Sequence, residues 1–309
     1  MQKVKLVGLL ALGLVAFASA AEGRQGGSAA ASVVAAKDTS ALLVGEGTFI
    51  FNGSDGSAER PVPVHYYRPA SANADSPILF VMHGTNRDAT NYRKAWIKEA
   101  EKRGFILIVP EFSKEAYSSA LYHYGNIRVD RAPVDSAQWT YVTVEKIFDE
   151  VRARTGSNRT TYHIYGHSAG AQFVHRMLWM MPGARIDQAV AANAGWYTLP
   201  DGKVNWPNGI GGTAAQTSAD DRIRAATSRR VTILLGTADT STTASDLPKG
   251  RAAMAQGPHR FARGHFFYER VKSVAEEKQY PFNWKLVEVP GVAHSNARIV
   301  SAAAAAIEW

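Results

Sequence analysis

Ser168 stands in YHIYGHSAGAQ, residues 162–172, between Gly166 and Gly170. A serine in an uninterrupted G-x-S-x-G, after an apolar alternation and before a helical run, has the setting of a nucleophile on a sharp strand-to-helix turn. The glycines matter because larger neighbours would clash there, and the following helix N-terminus favours developing negative charge. A hydroxyl attacks a carbonyl only with a base to take its proton, and the base needs an acid to hold its tautomer. With this motif both follow the nucleophile in the chain, on loops after sheet strands. His294, in GVAHS after the strand-like WKLVEVPG, occupies such a loop. The other downstream histidines, His259 and His265, fall in the amphipathic segment 258–279, where surface or helix-packing roles are expected. His163 and His175 read as packing or hydrogen-bonding residues of the strand and helix around the motif. Asp239 lies just past the buried run VTILLG and fits the acid, with Asp246 further along the same loop as the second candidate.

Acyl transfer also needs two convergent N–H donors for the oxyanion. One is the amide of Ala169, the residue after the nucleophile. The other is expected from VMHGTNRDA, where Gly84 allows close backbone approach and Thr85, or else Asn86, donates. His83 then braces that loop. Asn86 is also a candidate substrate contact, and Trp196 and Tyr197, in NAGWYTLP past a further strand end, either line a substrate site or pack as core aromatics.

These residues need a scaffold that brings strand ends together. GEGTFIF and VPVHYYRP flank a turn-rich segment and predict an opening β-hairpin. Apolar runs PILFVMHG, FILIVPEF, TTYHIYGHS, QAVAANAGWY, RRVTILLGTAD and NWKLVEVPG then alternate with helical segments. Those are ATNYRKAWIKEAEKRG, SAQWTYVTVEKIFDEVRARTG, AGAQFVHRMLWMM, RFARGHFFYERVKSVAEEKQY and SNARIVSAAAAAIEW. Such alternation predicts an α/β fold, with a mainly parallel central sheet, helices on both faces and the antiparallel hairpin at one edge. Segment 198–227, rich in Gly, Ala and Asp, reads as an insertion over the sheet. There are no internal repeats and no second-domain boundary.

The first twenty residues have another role. Lys3 and Lys5, the apolar run 6–17 and the small-residue site Ala18-Ser19-Ala20 make a secretory signal peptide, with cleavage expected after Ala20. Residues 21–42 read as a flexible leader and 43–309 as the catalytic domain, exported to the periplasm or the medium with no membrane anchor after cleavage. Cysteine is absent, so disulfides, thiolate nucleophiles and Cys metal sites are excluded. Lys and Arg exceed Asp and Glu by eight (35 against 27), and by six without the two signal-peptide lysines. The charge is spread without a long basic run, and no nucleic-acid motif is present, so a basic surface open to anionic partners is expected rather than a nucleic-acid groove.

The order of HG loop, GHSAG, GTADT and AHS resembles α/β-hydrolases of the polyhydroxybutyrate depolymerase and feruloyl esterase type, over roughly residues 45–309. The resemblance implies an α/β-hydrolase fold and a Ser-His-Asp hydrolase. It carries over Ser168, Asp239 and His294, with Thr85 and Ala169 as oxyanion donors. It also implies action on carboxylic esters or polyesters, with neither cofactor nor metal. Secreted members often place a Cys beside the oxyanion Gly, where this chain has Thr85. A similar branch hydrolyses poly(aspartic acid), which makes a polyanionic amide the alternative substrate. A non-catalytic binding protein on a hydrolase scaffold is the remaining alternative; such proteins usually lack a triad member, and all three candidates are present here.

Overall fold

The computed structural model describes residues 40–52 and 60–309. The expected signal peptide, residues 21–39 of the expected leader and residues 53–59 of the opening hairpin lie outside the described residues. Leu42 is buried, and its amide donates to the Arg154 carbonyl (3.3 Å).

β1 (Gly45–Phe51) and β2 (Val62–Arg68) form the expected antiparallel hairpin. The chain continues through β3 (Ile78–Met82), α1 (Ala89–Arg103), β4 (Ile106–Pro110) and α2 (Ser119–Tyr122). A small separate hairpin of β5 (Arg128–Val129) and β6 (Ala132–Pro133) comes next. Then follow α3 (Thr140–Thr155), β7 (Tyr162–His167), α4 (Ala169–Met180), β8 (Ile186–Ala192) and α5 (Ala219–Thr227). The last elements are β9 (Arg230–Gly236), α6 (Arg251–Met254), α7 (Arg260–Glu277), β10 (Trp284–Val289) and α8 (Asn296–Ala305). The main sheet has eight strands in the order β1-β2-β4-β3-β7-β8-β9-β10. All pairings from β4 to β10 are parallel, and β2 joins β4 antiparallel. This is the predicted α/β-hydrolase architecture.

The central strands read as unbroken apolar runs because both sheet faces are covered. Successive side chains point to opposite faces, so Leu79 and Val81 pack with Trp96, Ala100, Ile299 and Ala303 of α1 and α8. Phe80 and Met82 pack on the other face with residues of α3, α4 and α7, among them Phe148, Phe173 and Phe267. α1 and α3 end on Gly104 (φ 71°) and Gly156 (φ 64°), the left-handed caps that the closing glycines of their sequence patterns announce. α3 differs from expectation at its start. Trp139 is extended (ψ 137°) and separates a 3₁₀ turn at Ser136–Gln138 from the helix proper. Its buried ring and the indole bond to the Val134 carbonyl (3.0 Å) hold that break. Segment 198–227 is irregular until α5, tied by Leu199 N–H to the Asn208 carbonyl and by Arg222 to the Ile210 carbonyl. No helix among the described residues is long and apolar enough to cross a membrane.

Candidate active site

Ser168 occupies the single residue between β7 and α4, with φ 58° and ψ −114°. A side-chain-bearing residue is held there only by its surroundings, at a cost of about 1–3 kcal/mol. Its amide donates to the Ala192 carbonyl (2.9 Å) and its carbonyl accepts from Gln172 (3.1 Å). The two motif glycines are steric requirements. A Cβ on Gly166 would overlap the Gly170 carbonyl, and one on Gly170 would overlap the Met82 carbonyl. α4 is buried along its whole length, so the turn is fixed in the core and only its crest reaches solvent.

Three strand ends converge at that crest. The Ser168 hydroxyl lies 3.0 Å from His294 Nε2, and His294 Nδ1 lies 2.7 Å from Asp239 Oδ2. Asp239 follows β9 and is 2% exposed, and His294 follows β10. With Nδ1–H donating to the carboxylate, Nε2 is left to accept the serine proton. The alternatives weighed from sequence lie elsewhere. His259 caps α7, its Nδ1 accepting from the Ala262 amide, and His265 pairs with Glu288 (3.0 Å).

The loop after β3 faces Ser168. A Cβ on Gly84 would stand 3.8 Å from Ser168 Cβ. Thr85 and Ala169 both line a cavity of about 110 Å³ beside Ser168. Neither of their backbone N–H groups meets an acceptor among the described residues. Ala169 is buried and Thr85 half-buried, so both amides are left free to donate into the cavity. Asn86 is exposed, sits in the Gly84–Arg87 turn and does not line the cavity. His83 braces the loop as expected: Nδ1 donates to the Gly84 carbonyl (3.2 Å) and Nε2 accepts from the Phe112 amide (3.1 Å). Arg87 (φ 64°) locks the turn by donating to the carbonyls of Phe112 and Tyr117.

Trp196 lines the cavity, opposite Tyr124. Tyr197 does not. Its ring stacks on Phe267 at 4.3 Å deep in the core, which corrects its candidacy as a substrate contact. Behind the wall, buried Arg176 lies 4.8 Å from the Trp196 ring and donates to the His123 carbonyl and Gln172. Asp246, the second candidate acid, also lines the cavity, with Oδ2 4.0 Å from His294 Nε2. Arg260, 1% exposed, reaches Asp246 Oδ1 at 2.8 Å and Asp239 Oδ1 at 3.8 Å. Burial pushes the Asp246 carboxyl up, and the Arg260 hydrogen bond and charge more than offset it, so it stays below the ordinary carboxylate value. Sequence reasoning passed over Arg260 because a charged residue at the head of an amphipathic helix reads as solvated. Among the described residues no group of three or more His, Asp or Glu side chains could hold a metal ion.

Buried histidines surround the site. His167 lies against His294 with the rings tilted by 33° (4.6 Å between ring centres) and accepts from the Tyr92 hydroxyl. His175 donates to the Ala171 carbonyl and accepts from the Thr198 amide. Burial drives His83 down to about 3, His163 to about 4, and His167 and His175 well below the ordinary value of 6.5. Each folded-state value lies below that of the unfolded chain, so the unfolded chain binds the extra protons. The stability they allow is complete above about pH 6.5 and erodes as pH falls towards the folded values, by about 1.4 kcal/mol per pH unit for each histidine. Melting temperature should therefore drop steeply between pH 6.5 and pH 4.5; a flat profile over that range would contradict these buried neutral assignments.

The solved structure of poly(aspartic acid) hydrolase-1 from Sphingomonas sp. KT-1 is 43% identical to this chain, with a TM-score of 0.81, over 85% of this chain and 98% of that one. The chain belongs to the same α/β-hydrolase family. LpqC, a poly(3-hydroxybutyrate) depolymerase from Bordetella parapertussis, is 32% identical over 85% of this chain and 90% of that one, with a TM-score of 0.79. An S-formylglutathione hydrolase from Agrobacterium tumefaciens, 16% identical at a TM-score of 0.53, shares the fold. No family model and no curated protein matches the chain. The family resemblance read from GHSAG, GTADT and AHS is thus the correct one, and this α/β-hydrolase is a hydrolytic enzyme.

Proposed function

We propose that this hydrolase is an exported serine hydrolase that cleaves carboxylic esters through an acyl-enzyme. The observation that carries the proposal is the unbroken relay from Ser168 through His294 to Asp239, with bonds of 3.0 and 2.7 Å. Ser168 Oγ attacks the substrate carbonyl as His294 Nε2 takes its proton, and Asp239 stabilises the imidazolium. The carbonyl oxygen, now an anion, is held by the Thr85 and Ala169 amides. The intermediate collapses as His294 returns the proton to the leaving group, and water then releases the acyl group by the same steps in reverse order. Trp196 packs against the substrate. Export is proposed from the positive, apolar and small-residue order of residues 1–20.

A second reading, amide hydrolysis of poly(aspartic acid) or a similar polyanion, is favoured by the 43% identity to an enzyme of that name and by the excess of six positive charges, 33 Lys and Arg against 27 Asp and Glu, left without the two lysines of residues 1–20. Both readings share the nucleophile. A fluorophosphonate probe should label the mature protein at Ser168 and at no other residue; labelling elsewhere, or none, would remove the proposed mechanism.

A further inference from the structure

We infer that Asp246 accepts the scissile N–H of an amide substrate and so sets how well the site cleaves amides relative to esters. This role rests on the Ser168–His294–Asp239 reading proposed above. Asp246 stands in the cavity wall beside Ser168. One of its oxygens, Oδ1, is held by Arg260 Nη2 at 2.8 Å, and the other, Oδ2, faces His294 Nε2 at 4.0 Å. Ser168 Oγ lies 3.0 Å from the same nitrogen. The leaving atom must come within about 3 Å of Nε2 to be protonated. Positions at that distance on the Asp246 side of the ring lie within hydrogen-bond reach of Oδ2, which stands 4.0 Å from Nε2. Asp239 cannot take this part, since it engages the opposite ring nitrogen.

Amides and esters differ at that atom. A planar amide nitrogen shares its lone pair with the carbonyl; in the tetrahedral intermediate the pair localises and must point at Nε2–H. The nitrogen's own hydrogen then swings away from the imidazole, out of water, and needs an acceptor. An ester oxygen carries no hydrogen and makes no such demand. In the collapse, the Nε2 proton passes to nitrogen and the C–N bond breaks with its electron pair on nitrogen. The carbonyl re-forms and the acyl group stays on Ser168 Oγ. Asp246 neither gains nor loses a proton; it holds the N–H while the pair turns.

Asp246→Asn is the sharpest test, because the side chain keeps its shape. Arg260 offers only donors, so it retains the amide oxygen and turns the NH₂ group, also a donor, towards the leaving atom. The assay compares the p-nitroanilide and the p-nitrophenyl ester of butyric acid. In the variant, kcat/KM for the anilide should fall about tenfold to hundredfold further than for the ester. Asp246→Ala removes the acceptor without adding a donor, and should lower the same ratio by a smaller factor if Asn disturbs the loop. A ratio that stays constant in both variants overturns the assignment, as does a wild-type enzyme that cleaves the ester and leaves the anilide intact. Ser168→Ala, assayed alongside, keeps the two readings apart: hydrolysis that survives it breaks the nucleophile assignment, whereas loss of both activities leaves Asp246 to be judged by the ratio alone.

Discussion

Ser168→Ala should abolish hydrolysis of p-nitrophenyl butyrate, lowering kcat by about 10⁴- to 10⁶-fold. The side chain loses one oxygen, and that oxygen is the hydroxyl bonded to His294 Nε2. No other hydroxyl among the described residues bonds to that imidazole, so no neighbour can stand in. Folding should survive, because Ala keeps the Cβ and the backbone bonds to Ala192 and Gln172 do not involve the side chain. Ser168→Gly separates the two jobs of the residue. It is equally inactive, but glycine adopts φ 58° without steric penalty, so the protein should gain about 1 kcal/mol of stability by calorimetry or denaturant titration. Retained turnover in Ser168→Ala would end the proposed mechanism. An unchanged or lower stability in Ser168→Gly would show that the turn stores no recoverable strain.

The residues that sequence reasoning located are those whose surroundings are local. The turn that carries Ser168 is legible because two glycines, a strand and a helix within eleven residues dictate one backbone geometry, and the Met82 and Gly170 carbonyls show why nothing larger fits. The positions of His294 and Asp239 are legible because each follows a strand-like run, β9 buried inside the sheet and β10 at its edge, and parallel strands deliver their carboxyl ends to one side. What could not be read is contact made across the chain. Arg260 is buried because two carboxylates from the loop after β9 meet it, and no pattern around RFARGH announces that. Trp196 and Tyr197 are equivalent by type and by neighbourhood, yet only the first reaches the cavity, because Phe267 of α7 claims the second. Residues 111–138 carry little periodicity, and they supply Tyr122, bonded to the His83 carbonyl under the loop after β3, and Tyr124 in the cavity wall. Periodic pattern reports burial along an element; it carries no record of which distant side chain completes a wall.

Asp239→Asn should lower kcat by about 10⁴-fold, for the ester and the anilide alike. The carboxylate accepts from Nδ1–H and so leaves Nε2 free to take the serine proton. An asparagine that turns its NH₂ group to the ring reverses the tautomer and puts the hydrogen on Nε2, facing Ser168. An asparagine that turns its oxygen there keeps the tautomer but brings no negative charge to the imidazolium. Arg260, 3.8 Å from the other carboxylate oxygen, favours the first arrangement, since its donors repel an NH₂ group on their side. Removing one of the two carboxylates around a buried guanidinium should also reduce stability, by about 1–2 kcal/mol, with Asp246 left to compensate Arg260 alone. The pair of variants then tells the two acids apart by kind rather than by size. Loss of Asp239 disables proton transfer, so it lowers both substrates by one common factor. Loss of Asp246 alters what the leaving atom meets, so it moves one substrate against the other. An Asp239→Asn enzyme within tenfold of the wild type on the ester would transfer the role of triad acid away from Asp239, and with it the reason for placing that carboxylate at the buried end of the relay.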